Sequence, residues 1–139
     1  MPSTSEADTL PSWIDKETRA LIKDMVDLLV DQHADILAII LYGSVARHEE
    51  RSLYEPDPSD VDLLAVLNTD NPHIPLQKRI AFFSTLNLAH LRHLDAPREV
   101  QFMLASRTLG EWDPTFIANV KRDGIVLYQR GELPAPLAA

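Results

Sequence analysis

The sequence predicts an α/β (α+β) domain in which a small mixed β-sheet carries helices packed on it. Two observations lead there. Apolar runs of strand length, at residues 36–42 and 60–67, alternate with stretches at 14–29 and 76–91 whose apolar residues recur at the helical period. The connections between them are rich in Pro, Gly, Ser and Asp, which end regular structure. The chain has 139 residues, 45% of them hydrophobic and 24% charged, enough for one domain with a sizeable core. That domain is expected at 11–130, between flexible tails at 1–10 and 131–139.

Each element has its own signal. Ser12 or Asp15 can cap a first helix running to about His33, with Ile14, Leu21, Ile22, Met25, Val26, Leu28 and Leu29 as its apolar face. Residues 36–42 form a continuous apolar run, the mark of a strand buried on both faces. Gly43 ends it, and a turn or two of helix follows at 45–49. Pro56, Pro58 and their serines mark a loop, and a second strand runs from Asp60 to Leu67. Leu76, Ile80, Phe83, Leu86 (or Leu88) and Leu91 fit a long helix over 76–94 that covers the sheet. A third strand is expected at 99–105 and a short helical turn at 108–112. Asp113-Pro114 caps a last helix to about Arg122, closed by Asp123-Gly124, and a short strand follows at 125–128.

Charge and composition narrow the function classes. The net charge of −8 disfavours non-specific binding to nucleic acid. The absence of cysteine rules out disulfides and thiolate zinc sites. No apolar run reaches the roughly 20 residues that span a membrane, and residues 1–8 carry no apolar signal segment. The expectation is a soluble cytoplasmic protein that does not engage a membrane.

Chemistry concentrates between residues 36 and 67. Asp60 and Asp62 stand two apart at the start of a strand, so their side chains share a face. Paired carboxylates repel unless a cation lies between them, and hard oxygen ligands suit Mg²⁺. Upstream, Gly43-Ser44 at a strand-to-helix turn offers backbone N–H groups and a hydroxyl to a phosphate. One half would hold phosphates and the other the metal that neutralises them, which suggests a nucleoside triphosphate (NTP) site.

Leu41-Tyr42-Gly43-Ser44-Val45-Ala46-Arg47, Ser59-Asp60-Val61-Asp62-Leu63 and Arg122-Asp123-Gly124-Ile125-Val126-Leu127-Tyr128 together resemble the nucleotidyltransferase superfamily that includes DNA polymerase beta. The likeness is to its minimal members, of the MNT or MntA-like antitoxin type, and covers about residues 15–130. It implies the nucleotidyltransferase fold, a triphosphate held by Gly43, Ser44 and Arg47, and Mg²⁺ on Asp60 and Asp62. It also implies transfer of a nucleoside monophosphate, AMP from ATP, onto a hydroxyl of a protein or small molecule. A small helical HEPN-type protein is the implied partner, the chain acting as an antitoxin. Nucleic acid is not an expected partner.

The chain departs from the family pattern in two places. The loop from Ser44 to Asp60 is long, with an insertion around 53–58. The third carboxylate position, on the next strand, falls on Gln101, whose amide brings no charge and cannot act as a base. Glu99, two residues earlier on the same strand face, is the alternative acid. These departures leave a second reading open: a catalytically impaired nucleotide-binding or structural partner.

Other features read as structure. No Gly-Lys-Ser/Thr follows Gly43, which excludes a Walker loop, and residues 57–62 lack the glycine and closing glutamate of a calcium loop. His90 and His93 suit a helix end better than a zinc site. Residues 47–51 form a solvated charge run. Trp13 and Trp112 read as packing, and Tyr42 as packing under the turn.

Overall fold

A computed structural model of the protein describes residues 10–50, 59–110 and 112–138. The expected N-terminal tail, except Leu10, and the insertion around 53–58 lie outside the described residues. Leu10 itself is buried in the core.

Helix α1 spans Lys16–Gln32, and the Asp15 carboxylate accepts from the Thr18 amide at 2.9 Å. That bond satisfies one of the orphan donors of the first turn. Leu21, Ile22, Met25, Val26 and Leu29 form its buried face. Strand β1 (Ile36–Tyr42) follows, then the four-residue helix α2 (Gly43–Ala46) and strand β2 (Val61–Leu67). Asp60, expected to open the strand, immediately precedes it. Helix α3 (Leu76–Arg92), strand β3 (Val100–Ser106), helix α4 (Pro114–Asp123) and strand β4 (Ile125–Gln129) complete the elements.

The strands form one mixed sheet in the order β3-β2-β1-β4. β1 runs antiparallel to both its neighbours, whereas β2 and β3 are parallel and joined across α3. A parallel pair needs such a crossover. One sheet face (Ile39, Leu41, Leu63, Ala65) packs under α1 and α3; the other (Ala38, Ile40, Leu64, Val66) packs against Val120 of α4. The apolar run of β1, and that of β2 beyond Asp62, follow from burial on both faces. No helix among the described residues is long and apolar enough to cross a membrane.

The structure corrects the sequence reading in two places. Helix α3 forms where expected, but its buried residues are Phe82, Thr85, Leu86 and Ala89. Leu76, Ile80, Phe83 and Leu91 are exposed. The periodicity located an apolar stripe correctly, but a different face meets the core. Residues 131–138 do not fray: Ala135–Leu137 makes a turn of 3₁₀ helix, and Leu137 is buried in the α4-side cluster. Gly124 closes α4 as expected, in an extended conformation (φ −67°). Its smallness serves close packing, since a Cβ there would meet the Val120 carbonyl oxygen and lie 2.8 Å from Ile40 Cγ2.

Candidate functional site

The sheet register brings the two halves of the expected site together. Tyr42, the last residue of β1, is paired with Asp62 on β2, and Asp62 is paired on its other side with Gln101 on β3. The turn at Gly43 therefore abuts the acidic pair. Gly43 has φ +82°, where residues with a Cβ are strained. A Cβ on Gly43 would stand 2.5 Å from Asp62 Oδ2. Backbone freedom and the nearness of the carboxylate thus both require glycine here.

The carboxylates differ. Asp62 is half-buried, and burial, with Asp60 nearby, raises its pKa above the usual aspartate value; Arg47 opposes that shift. A buried carboxylate beside a second one favours a proton or a cation. Asp60 Oδ2 accepts a 2.7 Å hydrogen bond from Gln101 Nε2. The residue at the third carboxylate position is thus a donor to the pair, and it takes up one acceptor oxygen. Glu99 precedes β3, is exposed, and uses its backbone carbonyl to accept from the Val61 amide at 2.8 Å. Continuing the β2–β3 register sets it level with Asp60.

Among the described residues no group of three or more His, Asp or Glu side chains gathers as a metal site. The donor set here is two carboxylates and an amide, all oxygen ligands when the amide turns its carbonyl inward. That set fits one hard divalent cation, which would also relieve the repulsion that raises Asp62.

Arg47 ends α2, with its Nε 3.6 Å from Glu49 Oε1, and its charge reaches both Asp62 and Asp123. Ser44 lies between Gly43 and Val45 on α2, and its carbonyl accepts from the Glu49 amide at 2.8 Å. Tyr42, Gly43, Arg47, Phe116, Asn119 and Val120 line a cavity of about 200 Å³ beside the turn. The Tyr42 phenol is pushed up to about 12 by burial and by Asp62, and its ring meets Phe116 edge-on at 5.4 Å.

Three supports escaped the sequence reading. Trp13 Nε1 donates to the Val45 carbonyl at 2.7 Å and its ring stacks on His48 at 4.3 Å, which pins α2 from beneath. The buried Arg98 donates from Nη1 to the Ser59 carbonyl at 2.8 Å and fixes the chain entering Asp60. Phe116 walls the cavity. A lone Trp, Arg or Phe has no sequence pattern that announces such a role. His90 and His93 diverge: His90 Nδ1 donates to the Leu86 carbonyl at 2.9 Å, and His93 Nε2 lies 2.9 Å from Asp24 Oδ2.

Comparison with known proteins bears on the family and the fold. The family described as "Polymerase beta, Nucleotidyltransferase" matches residues 24–133. No curated protein sequence matches the chain. Among solved structures, a toxin–antitoxin with AMP-PNP superposes with a TM-score of 0.50 at 17% identity, over 78% of this chain and 73% of that one. A toxin–antitoxin MntA–HpeT mutant gives 0.51 at 16% identity, over 78% and 73%. At such identities the likeness establishes the fold.

Proposed function

The chain belongs to the polymerase beta nucleotidyltransferase family, and on that footing we propose that it moves AMP from ATP onto a hydroxyl of a protein, as the antitoxin partner of a helical HEPN-type toxin. The observation that carries this reading is the contact between the Gly43 turn and Asp62. It supports a single site where phosphates and their neutralising charge meet. It is supported in kind by a structural neighbour that is a toxin–antitoxin crystallised with AMP-PNP.

In this reading Gly43 lets the backbone approach the triphosphate, the Ser44 hydroxyl donates to a phosphate oxygen, and Arg47 adds positive charge. Asp60 and Asp62 would hold Mg²⁺, which neutralises phosphate charge when bound. The acceptor oxygen bonds to the α-phosphorus, the bond from that phosphorus to its bridging oxygen breaks, and pyrophosphate leaves. Gln101 cannot take the acceptor's proton. We assign that proton to Glu99, level with Asp60 and exposed, acting as the base. The cytoplasm, with its ATP, is the compartment this reading implies.

The test is incubation of the chain with α-labelled ATP, Mg²⁺ and a co-expressed HEPN-type protein. Label on the partner that is lost with Asp62→Asn and Glu99→Gln supports the reading; no label, with an active relative labelling its own partner alongside, refutes it. The hydrogen bond from Gln101 to Asp60 favours a second reading, in which Mg-ATP binds without turnover. Gain of transfer in Gln101→Asp, absent in the natural chain, would establish that one.

A further inference from the structure

Of the eight large hydrophobic residues exposed among the described residues, six lie on α3 or just past it: Leu76, Ile80, Phe83, Leu88, Leu91 and Leu94. Leu76 is 71% exposed, Leu91 68% and Leu94 81%. Steps of three and four residues set Leu76, Ile80, Phe83 and Leu91 along one helical stripe, with Asn87 in its middle and Leu88 at its flank, and Leu94 follows just past the helix end at Arg92. A stripe that narrow is the seam of a helix–helix contact. It lies away from the core-facing side formed by Phe82, Thr85, Leu86 and Ala89.

We propose that this stripe pairs with itself, so that two copies of the chain associate through antiparallel α3 helices. The order of the stripe is the first argument. A two-fold contact requires that residue i meet residue j and j meet i. Ile80 and Leu91, and Phe83 and Leu88, are two such couples within the helix, both centred between Thr85 and Leu86. Laid antiparallel on its copy, the helix sets Ile80 against Leu91 toward both ends and Phe83 against Leu88 near the axis.

Charge supplies the second argument. Each copy carries −8, so two copies repel over most approaches. Of the three long helices, α3 alone has no acidic residue, whereas α1 bears Glu17, Asp24, Asp27 and Asp31, and α4 bears Asp123. Two cations of α3 pair with carboxylates of their own chain: Lys78 Nζ lies 2.8 Å from Asp35 Oδ2, and Arg92 Nε 3.3 Å from Asp24 Oδ2. A third, Arg79, donates from Nε to the Ile74 carbonyl at 3.1 Å. The stripe itself is uncharged, with Arg79 exposed beside it. Pairing through it keeps the acidic surfaces apart.

The inference is independent of the transfer reaction. Helix α3 packs on the sheet face opposite the one that carries Asp62, and its Phe83 and Asn87 border a groove that Gln101 also lines. Sedimentation velocity of the full chain over about 1 to 100 µM tests it. The expected result is twice the chain mass in the upper part of that range. Ile80→Glu with Leu91→Glu, both at exposed positions, is expected to sediment at the chain mass with unchanged circular dichroism and melting temperature. The orientation is read separately, since the chain has no native cysteine. Asn87→Cys, near the axis, is expected to crosslink with a short bismaleimide. Leu76→Cys is not, because its copy would lie about 27 Å away along the helix. A wild-type chain that stays at the chain mass throughout overturns the proposal and leaves the stripe to a different protein. A double variant that still doubles its mass overturns it too, and crosslinking of Leu76→Cys refutes the antiparallel arrangement.

Discussion

Gly43→Ala probes the junction on which the site depends, because two separable penalties meet there. The backbone sits at φ +82°, and holding a residue with a Cβ in that region costs about 1–3 kcal/mol. The new methyl would also stand 2.5 Å from Asp62 Oδ2, so the carboxylate must swing away. With an unfolding entropy near 2.1 cal/mol/K per residue, 139 residues give a melting temperature drop of roughly 3–10 °C from the backbone penalty alone. Gly131→Ala is the natural control. Its φ is +73°, but a Cβ there would have nothing within 4 Å. It should show the backbone cost without the clash. The excess destabilisation of Gly43→Ala should then shrink in an Asp62→Ala background, where the clashing oxygen is gone; the difference is a coupling energy. Thermal melts of the four variants measure stability, and calorimetry with Mg-ATP measures binding. We expect Gly43→Ala to lose nucleotide affinity out of proportion to its stability. If it melts like the wild type and binds Mg-ATP equally well, the argument that this turn and the acidic pair form one site is wrong.

Three further outcomes follow from the geometry. Gln101→Asp replaces the donor to Asp60 with a third carboxylate, so its melting temperature should fall without metal and recover with millimolar Mg²⁺, by more than the wild type gains. Trp13→Phe removes the donor to the Val45 carbonyl and should cost about 1 kcal/mol by denaturant titration while weakening nucleotide binding through a looser α2. His33, buried against Phe82, has a pKa lowered mainly by burial, with Lys78 adding to the effect. The unfolded chain therefore binds its proton first, so stability is full above the ordinary histidine value of 6.5 and falls as pH drops below it. His33→Gln should flatten that part of a pH–stability curve; an unchanged slope would show that another group is responsible.

Some of this structure could be read directly from residue order. The continuous run of residues 36–42 became β1 at the expected bounds, because burial on both faces leaves no polar position in the strand. Asp113-Pro114 started α4, with the Asp113 carboxylate accepting from the Thr115 amide at 2.7 Å. These are local signals, and local physics decided them. What failed was of another kind. The period on α3 was correct, yet it marked the solvent side, since periodicity tells that a stripe exists and not what covers it. The 3₁₀ turn at 135–137 was hidden because prolines flanking a leucine look the same in a loose end and in a segment that folds back on the core.

The site divides along the same line. That Gly43-Ser44 and Asp60–Asp62 belong together could be inferred from two motifs, and the antiparallel register of β1 and β2 places them side by side. That Gln101 donates to Asp60 could not, because it depends on the parallel pairing of β2 with β3 across the α3 crossover. The distinction bears on the chemistry. A glutamine read off the sequence is only a missing acid, neutral and inert. In the structure its amide donates to one of the two carboxylates that a metal would need. Any cation entering must therefore compete with Nε2 for Asp60 Oδ2 or wait for the amide to flip and present its carbonyl. An amide held by one hydrogen bond worth about 1.5–3 kcal/mol to a charged acceptor can make that exchange. On the proposed function, metal affinity, more than the absence of a base, is accordingly the quantity that Gln101 would set first.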